Sequence, residues 1–285
     1  MERTDTGMNN IKIIAFDLDG TLLNSNKELS PKNAETLERA AAAGVHLVPA
    51  TGRALVALPE EVRRLPFIRY VIAANGAQVL DLQEGTTVVQ AEIPLPQAVD
   101  IMRYFDTVSG IYDCFLDGKP WMTRAFFDKI EDFAPDEHML KMLRELRQPV
   151  DELKAFIQAQ GKDVQKVQIF TWDEEARADM LQNLATRFPG TVVSSSALNN
   201  VEINNEHANK GEALLRLAEH LGVDRTQTLA FGDGLNDISM IRWAGVGVAM
   251  ANSPQEVRDA ADFVTLSCDE SGVSAGIVKF VKEVF

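Results

Sequence analysis

Two aspartates separated by one residue, Asp17 and Asp19, close the apolar run Ile11-Lys12-Ile13-Ile14-Ala15-Phe16 and are followed at once by Gly20 and Thr21. Carboxylates this close at the end of a buried strand repel each other unless a cation lies between them, so the pair points to a metal site. Gly20 lets the backbone turn sharply, which brings the Thr21 hydroxyl and neighbouring amides towards the same small space. In such a setting one acid can attack a phosphorus atom while the other manages protons. Taken alone, Asp-x-Asp-Gly-Thr is also ordinary turn chemistry. A calcium loop would use Glu28 as its bidentate ligand, but Leu22 stands where such a loop needs glycine and the preceding residues read as strand rather than helix.

A second acidic turn, Gly232-Asp233-Gly234-Leu235-Asn236-Asp237, follows the apolar Thr228-Leu229-Ala230-Phe231. It opens like a dinucleotide fingerprint, yet Asp237 replaces the third glycine and two aspartates would oppose a pyrophosphate. If the two turns share a sheet edge, their carboxylates form an oxygen-rich site suited to a small hard cation, and magnesium fits that chemistry best. The charge balance agrees. A formal net charge of -14 over 285 residues disfavours a nucleic-acid partner, and an anionic substrate would need a local cation.

The elements that must hold these residues alternate. Ser30-Pro31 reads as a helix N-cap and first turn, with Ala34, Leu37, Ala40 and Ala41 as the apolar stripe and Gly44 as the stop. Val45 to Ala50 reads as a second strand leading into Thr51-Gly52-Arg53, and Tyr70 to Ala74 as a third that stops at Asn75-Gly76. Strands joined by short helices imply right-handed crossovers and a parallel sheet. From about Leu82 to Asn205 the pattern changes to a separate α+β module. Pro96 to Ser109, Asp151 to Gln160 and Glu174 to Arg187 read as helices; Val164 to Thr171, Thr191 to Ser196 and Val201 to Asn204 read as strands. The first pattern then resumes with a helix opened by Asn209-Lys210-Gly211 and ends in a helix running towards Phe285. The expected domains are 1–82 and 206–285 as one core, with 83–205 inserted.

Hydrophobic content of 46% with 25% charged residues matches a globular protein with an ample core. Cys114 and Cys268 are too few and too far apart for a disulfide framework or a zinc cluster, and read as buried thiols. His46, His138, His207 and His220 lack metal-ligand spacing. No apolar run approaches a membrane span and Met1 to Gly7 lacks a signal-peptide core, so the expected location is cytoplasmic.

Asp17-Leu18-Asp19-Gly20-Thr21, Thr51-Gly52-Arg53, Asn209-Lys210-Gly211 and Gly232 to Asp237, in this order and at strand ends, resemble the motifs of the haloacid dehalogenase superfamily of phosphatases, in particular its Cof-type branch of capped sugar-phosphate phosphatases. The resemblance covers nearly the whole chain after about Asn10 and implies an α/β fold: a Rossmann-like parallel-sheet core with an inserted α+β cap. It also implies a magnesium-dependent hydrolysis of small phosphate monoesters. Asp17 would be the nucleophile that becomes an aspartyl-phosphate. Asp19 would protonate the leaving group and later activate water. Asp17, Asp233 and the carbonyl of Asp19 would bind Mg2+; Thr51 and Lys210 would hold the phosphoryl oxygens; Asn236 and Asp237 would orient Lys210 or metal-bound water.

Each of these residues also has a plain structural reading: Thr51 as a strand-end turn residue, Lys210 as a solvated helix start. Gly52, Arg53, Asn75 and Asn236 lie where they could touch substrate, with salt bridging and turn formation as rivals for Arg53 and Asn75. Glu202 could reach from the cap to a sugar hydroxyl or be solvated. Trp121, Phe126 and Phe127 could face a ligand but fit a small cap core better. The expected partner is a small phosphorylated metabolite, with no nucleic acid, no membrane and an open oligomeric state. A phosphomutase using the same intermediate and a non-enzymatic sugar-phosphate sensor are the alternative functions.

Overall fold

The computed structural model describes residues 10–195 and 197–281, with His138 described through its backbone alone. In chain order the strands are β1 (Ile13–Phe16), β2 (His46–Pro49), β3 (Tyr70–Ala73), β4 (Gln78–Asp81), β5 (Thr86–Gln90), β6 (Ile111–Leu116), β7 (Lys119–Thr123), β8 (Gln148–Val150), β9 (Lys166–Phe170), β10 (Thr191–Ser194), β11 (Asn200–Asn205), β12 (Thr228–Gly232), β13 (Val246–Ala249) and β14 (Phe263–Val264). The chain divides into two compact units. The first holds residues 1–52, 58–90 and 209–285; the second holds 53–57 and 91–208. The breaks therefore fall at 90/91 and 208/209 rather than at 82/83 and 205/206, and Arg53 groups with the second unit.

The first unit is built on a parallel sheet in the order β14-β13-β12-β1-β2. β1 is an interior strand, with neighbours from opposite ends of the sequence, and the register sets Phe16 level with both Phe231 and Pro49. Both faces of these strands are covered, which is why β1 is an unbroken apolar run with every residue buried. Because parallel strands share a direction, the loops after β1, β2 and β12 leave from the same edge, where α/β sheets place their chemistry.

The helix Pro31–Ala42 starts at Ser30, whose hydroxyl accepts from Asn33 N–H, and its proline needs no partner in the first turn. Its buried face is Asn33, Thr36, Leu37 and Ala40, one step round from the expected stripe. The shift has a polar cause. Asn33 Nδ2 donates to Leu22 O at 3.0 Å and its oxygen accepts from Ser274 N–H, while the hydroxyls of Thr36 and Ser274 lie 2.7 Å apart. The helix Lys210–Leu221 is capped by Asn209 and ends at left-handed Gly222; it buries Ala213, Leu214, Leu217 and Ala218. Each fully buried leucine here contributes about 1.5–3 kcal/mol.

β3 runs parallel to the end of β2, which it meets through the bridge Ala50–Ile72, but its regular pairing is antiparallel, with β4 in the small sheet β3-β4-β5. The turn between β3 and β4 is so tight that Ala74, Asn75 and Gly76 all have positive φ, which ends the strand where the Asn-Gly pair stands.

The second unit is a six-stranded sheet in the order β10-β11-β9-β6-β7-β8, antiparallel except between β7 and β8. Asp117 and Gly118, both at positive φ, form the two-residue turn between β6 and β7. Alternation sends Tyr112, Cys114, Val167, Ile169, Val201 and Ile203 into a core with the helices Leu95–Phe105, Leu153–Gln160 and Glu174–Arg187. Trp121 and Phe126 pack on that core, the Trp121 ring 4.5 Å from Phe156 and the Phe126 ring 4.9 Å from Tyr112. Three helices not expected individually, Arg124–Phe127, Ile130–Phe133 and Glu137–Leu146, accompany a second small core around Met122, Ile130, Leu143 and Phe170. Ser196, the expected end of β10, and residues 282–285, towards which the last helix was expected to run, lie outside the described residues; that helix is Gly272–Phe280. Cys114 and Cys268 are buried and free. Among the described residues no helix is long and apolar enough to cross a membrane.

Candidate active site

β1 delivers Asp17 to the sheet edge, where its N–H donates to Phe231 O at 3.0 Å and so ties the first acidic turn to β12. The turn that follows is closed by Leu22 N–H on Asp17 O and by Thr21 Oγ1 donating to Asp233 Oδ1 at 2.8 Å. Gly20 is required at its position on two counts. Its φ is +86°, and a Cβ there would lie 2.4 Å from Asp233 Oδ2.

Lys210 reaches this space from the first turn of its helix. Its side chain is fully buried, and Nζ lies 2.6 Å from Asp17 Oδ1 and 2.6 Å from Asp237 Oδ1. The other oxygen of Asp237 accepts from the N–H groups of Asp233 and Gly234 at 3.0 and 2.8 Å. Asp237 thus orients the lysine and shapes the second acidic turn at once. Gly211 lets the helix start approach the neighbouring chain, since a Cβ there would be 2.4 Å from Ser239 O.

Carboxylate oxygens of Asp17, Asp233 and Asp237 all lie within 4.8 Å of one another. Burial pushes the Asp17 carboxyl up to about 7; the Lys210 ammonium opposes the shift and the Asp237 charge adds to it. Burial likewise raises Asp233 to about 6, against the Thr21 hydrogen bond and with the Asp237 charge. Burial works against the charge of Lys210, but Asp17 and Asp237 outweigh it and hold the ammonium protonated. Three carboxylates against one ammonium leave the cluster short of positive charge. That deficit and the all-oxygen donors fit a hard divalent cation. Asp17 and Asp233 suit it better than Asp237, whose two oxygens are taken up by Lys210 at 2.6 Å and by two backbone N–H groups at 3.0 and 2.8 Å.

The remaining expected residues fall into two groups. Thr51 is buried at the end of β2, its N–H on Ile72 O and its carbonyl accepting from Asn75 N–H. Gly52 packs against Asn75, whose side-chain oxygen would lie 2.9 Å from an added Cβ, and Asn236 Nδ2 donates to the same oxygen at 3.1 Å. Asn236 therefore braces Asn75, whereas Lys210 is oriented by Asp237. Asp19 turns its carboxylate to Lys27 Nζ at 3.1 Å, which leaves the expected role of its carbonyl untouched. Arg53 and Glu202 belong to the second unit. Arg53 donates to Ala57 O at 3.1 Å. Glu202 is buried, not solvated: Lys166 Nζ lies at 3.0 Å and Asn200 Nδ2 at 3.3 Å.

Two residues of this edge were missed. Asn252, in the turn after β13, donates to Gly20 O at 2.9 Å and accepts from Cys268 N–H at 2.9 Å, with Nδ2 3.5 Å from Asp233 Oδ2. Placing every strand end of a parallel sheet on one edge would have drawn attention to it. Lys27 gave no signal beyond standing in a polar turn.

A sequence profile described as haloacid dehalogenase-like hydrolase matches residues 14–277. Phosphatase YwpJ of Bacillus subtilis is 32% identical over 93% of this chain and 98% of its own length. The 5-amino-6-(5-phospho-D-ribitylamino)uracil phosphatase YcsE of the same organism is 29% identical over 95% and 96%. Among solved structures, a haloacid dehalogenase-like hydrolase from Bacteroides thetaiotaomicron superposes with a TM-score of 0.80 at 29% identity, covering 95% of this chain and 99% of that one.

Proposed function

Since the chain belongs to the haloacid dehalogenase-like hydrolases and its relatives are phosphatases, we propose that it hydrolyses a small phosphorylated sugar or polyol, with Mg2+ as cofactor and an aspartyl-phosphate on Asp17 as intermediate. The observation that carries this reading is the Lys210 ammonium buried between Asp17 and Asp237 in a cluster that still lacks positive charge. The ribityl phosphate in the name of one relative supports the substrate class.

Asp17 attacks phosphorus in line with the ester oxygen, forming the acyl phosphate as the P–O bond to the leaving group breaks. The departing oxygen takes a proton from Asp19. In the second step Asp19 recovers a proton from water, the hydroxide attacks phosphorus, and inorganic phosphate leaves Asp17 as a free carboxylate. Thr51 and Lys210 hold the phosphoryl oxygens. Asp237 keeps Lys210 charged and aimed. The cation, held by Asp17, Asp233 and the Asp19 carbonyl, would supply positive charge against the phosphate dianion.

With these residues committed to the phosphoryl group, choice of the leaving group is assigned to the inserted unit, taken as a cap. Gly52, Asn75 and Asn236 are the core-side candidates for substrate contact, and Arg53 is a candidate from the second unit. The buried Lys166 partner of Glu202 argues against a sugar-binding role for that residue. Two free thiols suit a cytoplasmic location. The test is rapid-quench trapping during turnover of a phosphate monoester with Mg2+, followed by peptide mapping. Covalent phosphate on Asp17, absent from Asp17→Asn, is the expected result; turnover with no covalent phosphate would overturn the mechanism.

A further inference from the structure

We propose that Lys27 is a positioning residue for Asp19, holding the carboxylate that serves the leaving group in one orientation. The inference rests on the acid–base reading of Asp19 given above. Asp19 is a partly exposed side chain on a turn, and a proton-transfer group must be held in one orientation to act. Its carboxylate lies 3.1 Å from the Lys27 ammonium, and the buried Lys210 is committed to Asp17 and Asp237.

The turn that carries Lys27 is built around Asn24. The Asn24 side-chain oxygen accepts from the N–H groups of Asn26 and Glu28 at 3.0 and 2.9 Å. Its backbone N–H donates to Glu28 O at 3.0 Å and its carbonyl accepts from Lys27 N–H at 2.9 Å. Ser25 N–H is anchored on Asp269 Oδ1 at 2.8 Å, and the arms of the turn meet through bridges between Asp19 and Leu23 and between Leu23 and Leu29. Within it Lys27 has φ +65°, a conformation that glycine or asparagine adopts more readily than lysine. For the turn alone, glycine would be the better residue. What lysine adds is a side chain that reaches Asp19. The pair is half exposed, so its effect on stability is small and its effect on orientation can be read separately.

That backbone conformation supplies the test, because Lys27→Gly removes the ammonium while easing the turn. Bursts of leaving-group release are followed with phenyl phosphate, whose phenolate needs a proton, and with nitrophenyl phosphate, whose leaving group needs little help. Lys27→Gly is expected to slow the phenyl phosphate burst about tenfold, a modest part of what a placed acid provides. The nitrophenyl burst should change less than about twofold, KM should hold, and the melting temperature should stay or rise. Lys27→Arg should restore most of the phenyl phosphate rate. In an Asp19→Asn background Lys27→Gly should cause no further loss. Equal slowing of both esters, or a full additional loss in that background, would overturn the proposal. If Asp19→Asn slows phenyl phosphate and Lys27→Gly does not, the role of Lys27 fails and the acid role of Asp19 stands. If Asp19→Asn itself leaves both bursts unchanged, the acid–base reading fails and this inference with it.

Discussion

Both units bury a cluster of charged side chains, and the two clusters are balanced differently. In the first unit three carboxylates, Asp17, Asp233 and Asp237, gather around the single ammonium of Lys210. In the second, the sheet face opposite the main core carries Asp113 with Arg147 at 2.8 Å and Glu202 with Lys166 at 3.0 Å. Gln168 stands between them in register and donates to Asp113 at 2.9 Å. Each acid there has its own base, although Asp113 Oδ1 is buried with no hydrogen-bond partner. Burial alone therefore does not mark a site. A self-neutralised cluster can be part of the fold, whereas a cluster short of charge needs something from outside.

The largest effect that would test this contrast comes from Lys210→Met. Phosphatase turnover should fall by several orders of magnitude, since the residue is proposed to touch the phosphoryl group and it aims Asp17. Near-normal kcat would place Lys210 among structural residues and erase the distinction. Next comes the metal. Chelation should abolish turnover, and Mg2+ should raise the melting temperature of the metal-free protein through the charge deficit. Asp233→Asn should weaken that rise, while Lys166→Met should leave it intact. A Mg2+ shift that survives Asp233→Asn would move the cation elsewhere.

The second cluster should respond in stability instead. Lys166→Met leaves Glu202 buried without its base and is expected to cost about 3 kcal/mol. Adding Glu202→Leu should recover most of that loss, measured by urea denaturation. Failure of the double variant to recover would indicate that the pair does more than neutralise itself. The smallest effect concerns His46, outside both clusters, whose imidazole is held below its ordinary value by burial and then by Arg69. A histidine with a lowered folded pKa binds its proton more readily when unfolded, so its contribution is present above the ordinary value near 6.5 and lost as pH falls through it. His46→Gln should flatten the stability profile between about pH 7 and 5. An unchanged profile would assign that slope to other groups.

The residues of the proposed chemistry could be picked out in the sequence because they stand at strand ends: Asp17, Asp19, Thr51, Lys210, Asp233 and Asp237 each stand just after an apolar run or at a helix start. The parallel core was legible for the same reason, since strands buried on both faces read as continuous apolar segments. Other features depend on partners far away in the chain. β3 took an antiparallel partner because its Asn-Gly turn led directly into β4, and the buried face of Pro31–Ala42 was decided by polar bonds to residues near 274. Glu202 looked the same in sequence as a solvated acid until β9 placed Lys166 against it. What the sequence determined by itself was which groups could carry phosphoryl chemistry. Which of them meet, which are neutralised and which stay short of charge was decided by tertiary structure, because an electrostatic balance is a property of distances and burial rather than of order along the chain.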